Sequence, residues 1–191
     1  MSDAFWSESG PVELGTAALL AILTAVLLWR AVRAPRLWHL PMLGALLTMR
    51  EFDLDKAVEP GLLKARTYSG DAPLAVKLLG LFVIVLALVC LWRVARDLPA
   101  AWRALRAGAA WPWLVGTAIV AVVVAKSFDG IGRKLAPFGI DVPPETVLAL
   151  SRVEEVLELL FALLLLIAAT VAWRRGTDAP PAPIASIRDG R

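Results

Sequence analysis

Residues 151–175 read SRVEEVLELLFALLLLIAATVAWRR, and this stretch decides the class of fold. Its centre, Leu159–Trp173, contains no charged residue, and Arg174 and Arg175 follow it directly. With a flanking turn the run reaches the ~20 residues that a helix needs to cross a bilayer core. The stretch therefore predicts a membrane-spanning helix with a charged beginning and a basic end.

The composition extends this conclusion to the whole chain. The 191 residues are 59% hydrophobic and 19% charged, with a mean hydropathy of +0.69. Typical soluble domains are about 45–50% apolar and about 25% charged. This difference argues against a soluble enzyme, a disordered chain and a fibrous repeat, and the length allows one domain or at most two.

Other apolar runs have the same character. Three are uncharged and long enough to span with a flanking turn: Leu14–Trp29, Leu78–Trp92 and Ala107–Ala125. A shorter run, Leu37–Met49, reaches spanning length only if it is extended from Arg36 to Asp55, where it includes charged residues.

Arginines set the orientation of these segments. The first run is followed by Arg30 and Arg33, and the Leu78 run is followed by Arg93 and Arg96. Both basic ends are expected on the cytoplasmic side. Two helices that run in the same direction need a crossing between them, and only residues 36–55 can supply it. The alternative is four full spans with residues 36–55 as a re-entrant segment.

The predicted fold is an all-α, polytopic membrane helix bundle with five transmembrane helices, the N-terminus outside and the C-terminus inside. A single domain, residues 1–176, holds spans at about 14–32, 36–56, 73–93, 107–128 and 146–173. An interfacial helix is expected at about 97–107 and a disordered cytoplasmic tail at 177–191. Four small residues are expected to let helices approach: Gly15, Ala17, Gly80 and Gly116.

The charges divide unequally between the two sides. The inner side holds 11 Arg and 3 acids, net +8, and the outer side holds 9 basic residues and 14 acids, net −5. Seven of the 8 Trp residues fall near the inner boundary, where indole rings collect. The pI of about 9.4 is therefore explained by an Arg-rich face near anionic lipid, with no nucleic-acid partner. The Ala, Leu and Arg usage favours a bacterial inner membrane.

The single cysteine and histidine exclude several kinds of site. Cys90 alone forms neither an intramolecular disulfide nor a zinc site. His39 alone excludes bis-histidine haem ligation within the chain, so no haem is expected, and we expect this residue at the cytoplasmic interface.

Three charged groups, distant in sequence, are predicted at one depth. They are Arg50–Lys56, Lys126–Lys134 and Ser151–Glu158. Along each of the three predicted spans concerned, a count of 20 residues from the cytoplasmic boundary ends within one of these groups. Glu154 and Glu158 lie on one helix face, since they are four residues apart. Ionisable groups at membrane depth cost roughly 2.5–3.5 kcal/mol each, so a cluster of them is a functional-site hypothesis.

This cluster supplies the candidate site residues. For catalysis, with a carboxylate as general base, the candidates are Glu154, Glu158 and Asp129. For binding a ligand or phosphate, they are Arg50, Lys126, Arg133 and Arg152. For a divalent cation such as Mg²⁺, which prefers oxygen ligands, they are Glu51, Asp129, Glu154, Glu155 and Glu158.

The sequence leaves several functions open. The first is a site for a cation, an anionic lipid or a phosphate-bearing head group at the outer leaflet, with or without catalysis. The second is a subunit of an ion- or proton-coupled transporter, and the third is a non-catalytic accessory or scaffold subunit. A structural ion-pair network is the alternative to any site. Membrane lipids, a homo-oligomer or another membrane protein are the expected partners.

Overall fold

A computed structural model describes residues 10–52 and 61–177, and within these ranges 86% of the residues are helical and none lies in a strand. The α-helices are α1 Pro11–Arg33, α2 His39–Glu51, α3 Ala65–Ser69, α4 Leu74–Arg106, α5 Ala110–Phe128, α6 Ile131–Leu135 and α7 Pro144–Thr177. Two short 3₁₀ turns lie at Pro35–Leu37 and Ala136–Phe138.

Four of these helices, α1, α4, α5 and α7, are long and apolar enough to cross a membrane. Most side chains along their apolar stretches are not buried inside the protein. Exposed Leu, Val and Phe side chains on such helices are suited to contact with lipid. These features indicate an integral membrane protein.

The predicted fifth span differs from the structure. Helix α2 has only 13 residues, about 20 Å of helix, whereas a hydrocarbon core is about 30 Å thick. Helix α2 ends where Arg50, Glu51 and Phe52 replace the apolar run, and residues 53–56 of the predicted span lie outside the described residues. The structure thus supports four candidate spans, and the five predicted from sequence are not confirmed.

Helix α2 nevertheless occupies a defined place in the bundle. It packs against α1 on one side and against α4 on the other. Gly44 of α2 lies directly against Thr24 of α1, and the hydroxyl oxygens of Thr24 and Thr48 are 3.4 Å apart. Because only the short turn at Pro35–Leu37 separates these two packed helices, α2 runs antiparallel to α1. The Thr48 contact places the last turn of α2 beside the middle of α1.

The five longest helices close a ring of contacts, in the order α1, α2, α4, α5, α7 and back to α1. The apolar core lies between α1 and α7 and contains Leu20, Leu23, Ala162 and Ala169. Because α1 and α7 run in the same direction while α5 opposes α7, the end of α5 meets the beginning of α7.

Small residues bring the helices together at most of the expected positions. Ala17 is 1% exposed, and a Cβ added at Gly15 would lie 3.5 Å from the Leu159 side chain on α7. Gly80 lies against the carbonyl of Leu62. Gly116 is the exception, since nothing lies within 4 Å of a Cβ added there, and its predicted packing role is wrong.

The segment expected as a separate interfacial helix, residues 97–107, instead continues α4 without a break as far as Arg106. Pro99 lies inside this helix, where it removes one backbone hydrogen bond. The surrounding Ala, Leu and Arg residues favour helix strongly enough to extend it past this position. At the other terminus α7 ends at Thr177, and residues 178–191 of the predicted tail lie outside the described residues.

Arginine and tryptophan side chains gather at one end of the ring, here termed the Arg/Trp end. Arg30 of α1 donates a hydrogen bond to the Ala169 carbonyl of α7 at 3.2 Å and lies over the ring of Trp173. Arg93 of α4 reaches the Arg36 carbonyl at 3.4 Å. The opposite end, where α5 meets α7, carries the predicted site residues and is termed the charged end.

Candidate functional site at the charged end

An ion-pair fork joins α5 to α7. The Lys126 ammonium on the last turn of α5 donates a hydrogen bond to Glu154 Oε1 at 3.1 Å and also forms an ion pair with Glu158 Oε1. The Lys126 side chain is 33% exposed, and those of Glu154 and Glu158 are 15% and 21% exposed. This partial shielding from water strengthens the pairing relative to an ion pair on an open surface.

Small side chains on α5 make the fork possible. Ala118, Ala121 and Ala125 are buried, and their spacing places them on one face of the helix. Because these side chains end at Cβ, α5 packs closely on α7, where Ala162 is fully buried. The close approach brings Lys126 within reach of both glutamates.

The end of α2 adds a third carboxylate to the fork. Glu51 interacts electrostatically with Glu158 and Lys126, and also with Arg50 beside it and Glu13 in the first turn of α1. The two carboxylates that interact with Glu51 therefore come from α1 and α7. The structure thus brings the predicted Glu51, Lys126 and Glu158 near one another, together with Glu13, which is absent from the predicted set.

Two further predicted carboxylates lie in the same electrostatic neighbourhood. Asp129, which follows the last turn of α5, interacts with Glu154. Glu155 interacts with Glu154, Glu158 and Arg152 on its own helix. The structure thus brings all five predicted carboxylates into one region.

The segment after α5 folds back on that helix. The Lys134 ammonium donates a hydrogen bond to the Lys126 carbonyl at 2.7 Å, which satisfies an acceptor that the helix end leaves free. Gly130 has a left-handed φ of 60°, and a Cβ at this position would lie 2.6 Å from Nη2 of Arg133. Arg133 therefore packs against its own loop, and Gly130 leaves room for it.

Burial separates the predicted acids from most of the predicted bases. The acids are half-buried and form an acidic interior: Glu51, Asp129, Glu154, Glu155 and Glu158. Lys126 is half-buried among them, whereas three arginines are exposed and form a basic rim: Arg50, Arg133 and Arg152. The region therefore offers carboxylates inside and guanidinium groups towards its edge.

The predicted metal ligands do not form a ready coordination cluster. Among the described residues, no group of three His, Cys, Asp or Glu side chains is close enough to hold a metal ion. The Lys126 ammonium already lies between Glu154 and Glu158, so a cation would have to displace it. Divalent cation binding stays a prediction.

Residues 61–69, here termed the cap, cover the start of α4 near this end. The Thr67 hydroxyl donates to the Gly61 carbonyl at 2.5 Å, and the Tyr68 hydroxyl donates to the Leu62 carbonyl at 2.8 Å. Tyr68 and Leu62 both lie against Gly80. Sequence reasoning missed this cap, although a glycine in an apolar helix is a signal of close approach.

The polar side chains of Thr24, Thr48 and His39 lie closer to the Arg/Trp end and are separate from the charged end. The hydroxyls of Thr24 and Thr48 each donate to a carbonyl of their own helix, at 2.8 and 2.9 Å. His39, expected at the interface, is only 1% exposed, and its Nε2 lies 3.3 Å from Asp97 Oδ2 without hydrogen-bond geometry. His39 thus lies buried where α2 meets α4.

Comparisons with known proteins yield no match, whether against protein-family models, curated proteins or solved structures.

Proposed function

We propose that this chain is a bacterial inner-membrane protein that binds the head group of an aminophospholipid at the charged end of its bundle. In this proposal it crosses the membrane five times, with the N-terminus outside and the C-terminus inside. The charged end then faces the outer leaflet.

Two observations support the fifth crossing and the orientation. Helix α2 completes the ring between α1 and α4, and Glu51 at its end lies within electrostatic range of Glu13 at the opposite end of α1 from Arg33. The arginines of α1 and α4 gather at one end, as expected for a cytoplasmic face.

The Lys126 fork is the observation that carries the choice of ligand. Glu154 and Glu158 already hold one primary ammonium group in a half-buried setting. A head-group ammonium has the same charge and the same three donors. It competes with Lys126 for these carboxylates, and the Glu51 carboxyl lies within electrostatic range of the same site.

The basic rim suits the second group of such a ligand. Arg50, Arg133 and Arg152 are exposed, and guanidinium groups bind phosphate with two parallel hydrogen bonds. A molecule with an inward ammonium and an outward phosphate is complementary to this arrangement of charge.

The test compares two zwitterionic lipids. Phosphatidylethanolamine and phosphatidylcholine have the same net charge, but only the first donates N–H hydrogen bonds. Purified protein in detergent is expected to show a higher Tm with added phosphatidylethanolamine than with phosphatidylcholine. The difference is expected to fall by more than half in Glu154→Gln and Glu158→Gln.

Glu145→Gln is the matched control, because Glu145 is exposed in the first turn of the same helix. It should leave the difference between the lipids unchanged. Equal Tm values with the two lipids in the unmodified protein, or a difference that persists in both fork variants, would contradict the proposed ligand.

A further inference from the structure

Three tryptophan–arginine pairs lie on the two helices whose last turns reach the Arg/Trp end, one pair on α1 and two on α4. In each pair the arginine follows the tryptophan by four residues, so both side chains lie on one face of a helix. The guanidinium carbon lies over the indole ring in all three: Arg33 over Trp29 at 4.0 Å, Arg96 over Trp92 at 4.3 Å and Arg106 over Trp102 at 5.2 Å.

These pairs are exposed on the surface of the protein. Trp29, Trp92 and Trp102 are 56%, 54% and 55% exposed, and the three arginines are also exposed. Large, rigid indole rings left uncovered at the end of an apolar helix are typical of the boundary between acyl chains and head groups.

The guanidinium groups of the pairs are available to a ligand. Within residues 10–52 and 61–177, Arg33, Arg96 and Arg106 form neither ion pairs nor hydrogen bonds through their side chains. Arg30 differs, because it donates to the Ala169 carbonyl and so ties α1 to α7. Arg33 also lies 5.8 Å from the ring centre of Trp173 on α7, but its guanidinium N–H groups, like those of Arg96 and Arg106, make no hydrogen bond to the described residues.

Stacking presents the guanidinium in a defined way. Each guanidinium carbon lies over an indole ring, and a guanidinium held in this way can still donate N–H hydrogen bonds to two oxygens of one phosphate. Indole rings favour the boundary between acyl chains and head groups, and a side chain already held against a ring loses less freedom on binding.

The position of the third pair fits the same surface. Helix α4 has 33 residues, or about 50 Å of helix, which exceeds the ~30 Å of a hydrocarbon core. Its last turns, with Trp102 and Arg106, lie beyond Pro99 and extend towards the head-group region.

We infer that the three stacked pairs form a binding surface for anionic phospholipid head groups in the leaflet next to the Arg/Trp end. This inference concerns the opposite end of the bundle from the proposed aminophospholipid site and does not depend on it. The recognised chemistry is a phosphodiester on a lipid with net negative charge.

Native mass spectrometry of the detergent-purified protein tests the inference. Bound phosphatidylglycerol and phosphatidylcholine are counted at equal added concentrations, and the unmodified protein is expected to retain more phosphatidylglycerol. The triple variant Arg33→Gln, Arg96→Gln, Arg106→Gln is expected to lose most of this preference.

Two further variants distinguish the effect of the tryptophan–arginine pairs from the effect of positive charge alone. Arg103→Gln removes an exposed arginine of α4 that does not lie over an indole among the described residues and donates to the Pro99 carbonyl, and it should change the preference less than twofold. The triple Arg→Lys variant keeps the charge without the planar stack, and it should retain less than half of the preference.

An unchanged preference in the triple Gln variant would overturn the inference. Full retention in the triple Lys variant would overturn the role of stacking and assign the preference to charge alone. An unchanged Tm and elution volume in each variant confirm that the fold is intact.

Discussion

Lys126 and Glu154 are 28 residues apart in the chain, yet the Lys126 Nζ lies 3.1 Å from Glu154 Oε1. The contact joins the end of α5 to the beginning of α7, with Glu158 as a second partner one turn further along. Unpaired charges at membrane depth are costly, and this ion pair offsets that cost while it joins two helices.

Lys126→Met is expected to destabilise the protein. Removing the ammonium leaves Glu154 and Glu158 without their shared counter-ion in a half-buried setting. The expected loss is about 1–3 kcal/mol, between the values for exposed and fully buried ion pairs. Chemical denaturation in detergent measures it.

A charge exchange provides the control for this variant. Lys126→Glu combined with Glu158→Lys restores opposite charges across the same gap and should recover part of the lost stability. If Lys126→Met unfolds at the same denaturant concentration as the unmodified protein, the fork contributes nothing to stability.

Added Mg²⁺ is expected to stabilise Lys126→Ala more than the unmodified protein. The ammonium occupies the space between the two glutamates, and its removal frees oxygen ligands that Mg²⁺ prefers. Thermal unfolding with Mg²⁺ and then with excess chelator measures the difference. An equal Tm increase in both proteins would place the cation away from the fork.

Gly80→Ala is expected to lower the Tm. The added Cβ would lie 2.5 Å from the Leu62 carbonyl oxygen and also against the Tyr68 hydroxyl, so the cap over α4 must shift. Gly116→Ala is the control, because nothing lies within 4 Å of its added Cβ. A Tm for Gly80→Ala at or above that of Gly116→Ala would show that the cap is not packed on α4.

A cysteine placed at Lys64 is expected to react with an impermeant maleimide in intact cells, and a cysteine at Arg103 is expected to react only after permeabilisation. Both positions are exposed and lie towards opposite ends of the bundle. The native Cys90 is 0% exposed and should remain unlabelled. The reverse pattern would overturn the proposed orientation.

Ala118→Leu is expected to separate α5 from α7 and to cost about 1–3 kcal/mol through overpacking. Ala118 is 0% exposed, whereas Val120 on the same helix is 62% exposed. Val120→Leu should therefore leave the denaturation midpoint nearly unchanged. A similar midpoint in both variants would contradict the packing of α5 on α7.

Helix class and the grouping of charges were predictable because both depend on local pattern. Long uncharged runs dictate helices in lipid, since a backbone there must satisfy its own hydrogen bonds. Residue counting also brought Lys126, Glu154 and Glu158 to one depth. The length of α2 and the unbroken α4 were not predictable. A single proline or charged turn does not fix where a helix ends, and the packing of neighbouring helices decides it.

The sequence by itself determined that the chain is helical and apolar enough for a membrane, and that its charges lie at the ends of apolar runs. Only the tertiary structure decided which charges meet. It set Lys126 between Glu154 and Glu158, buried His39 beside Asp97, and left Arg33, Arg96 and Arg106 stacked on exposed indoles. The physical reason is that depth follows from counting residues along one helix, whereas contact depends on which faces of neighbouring helices pack together.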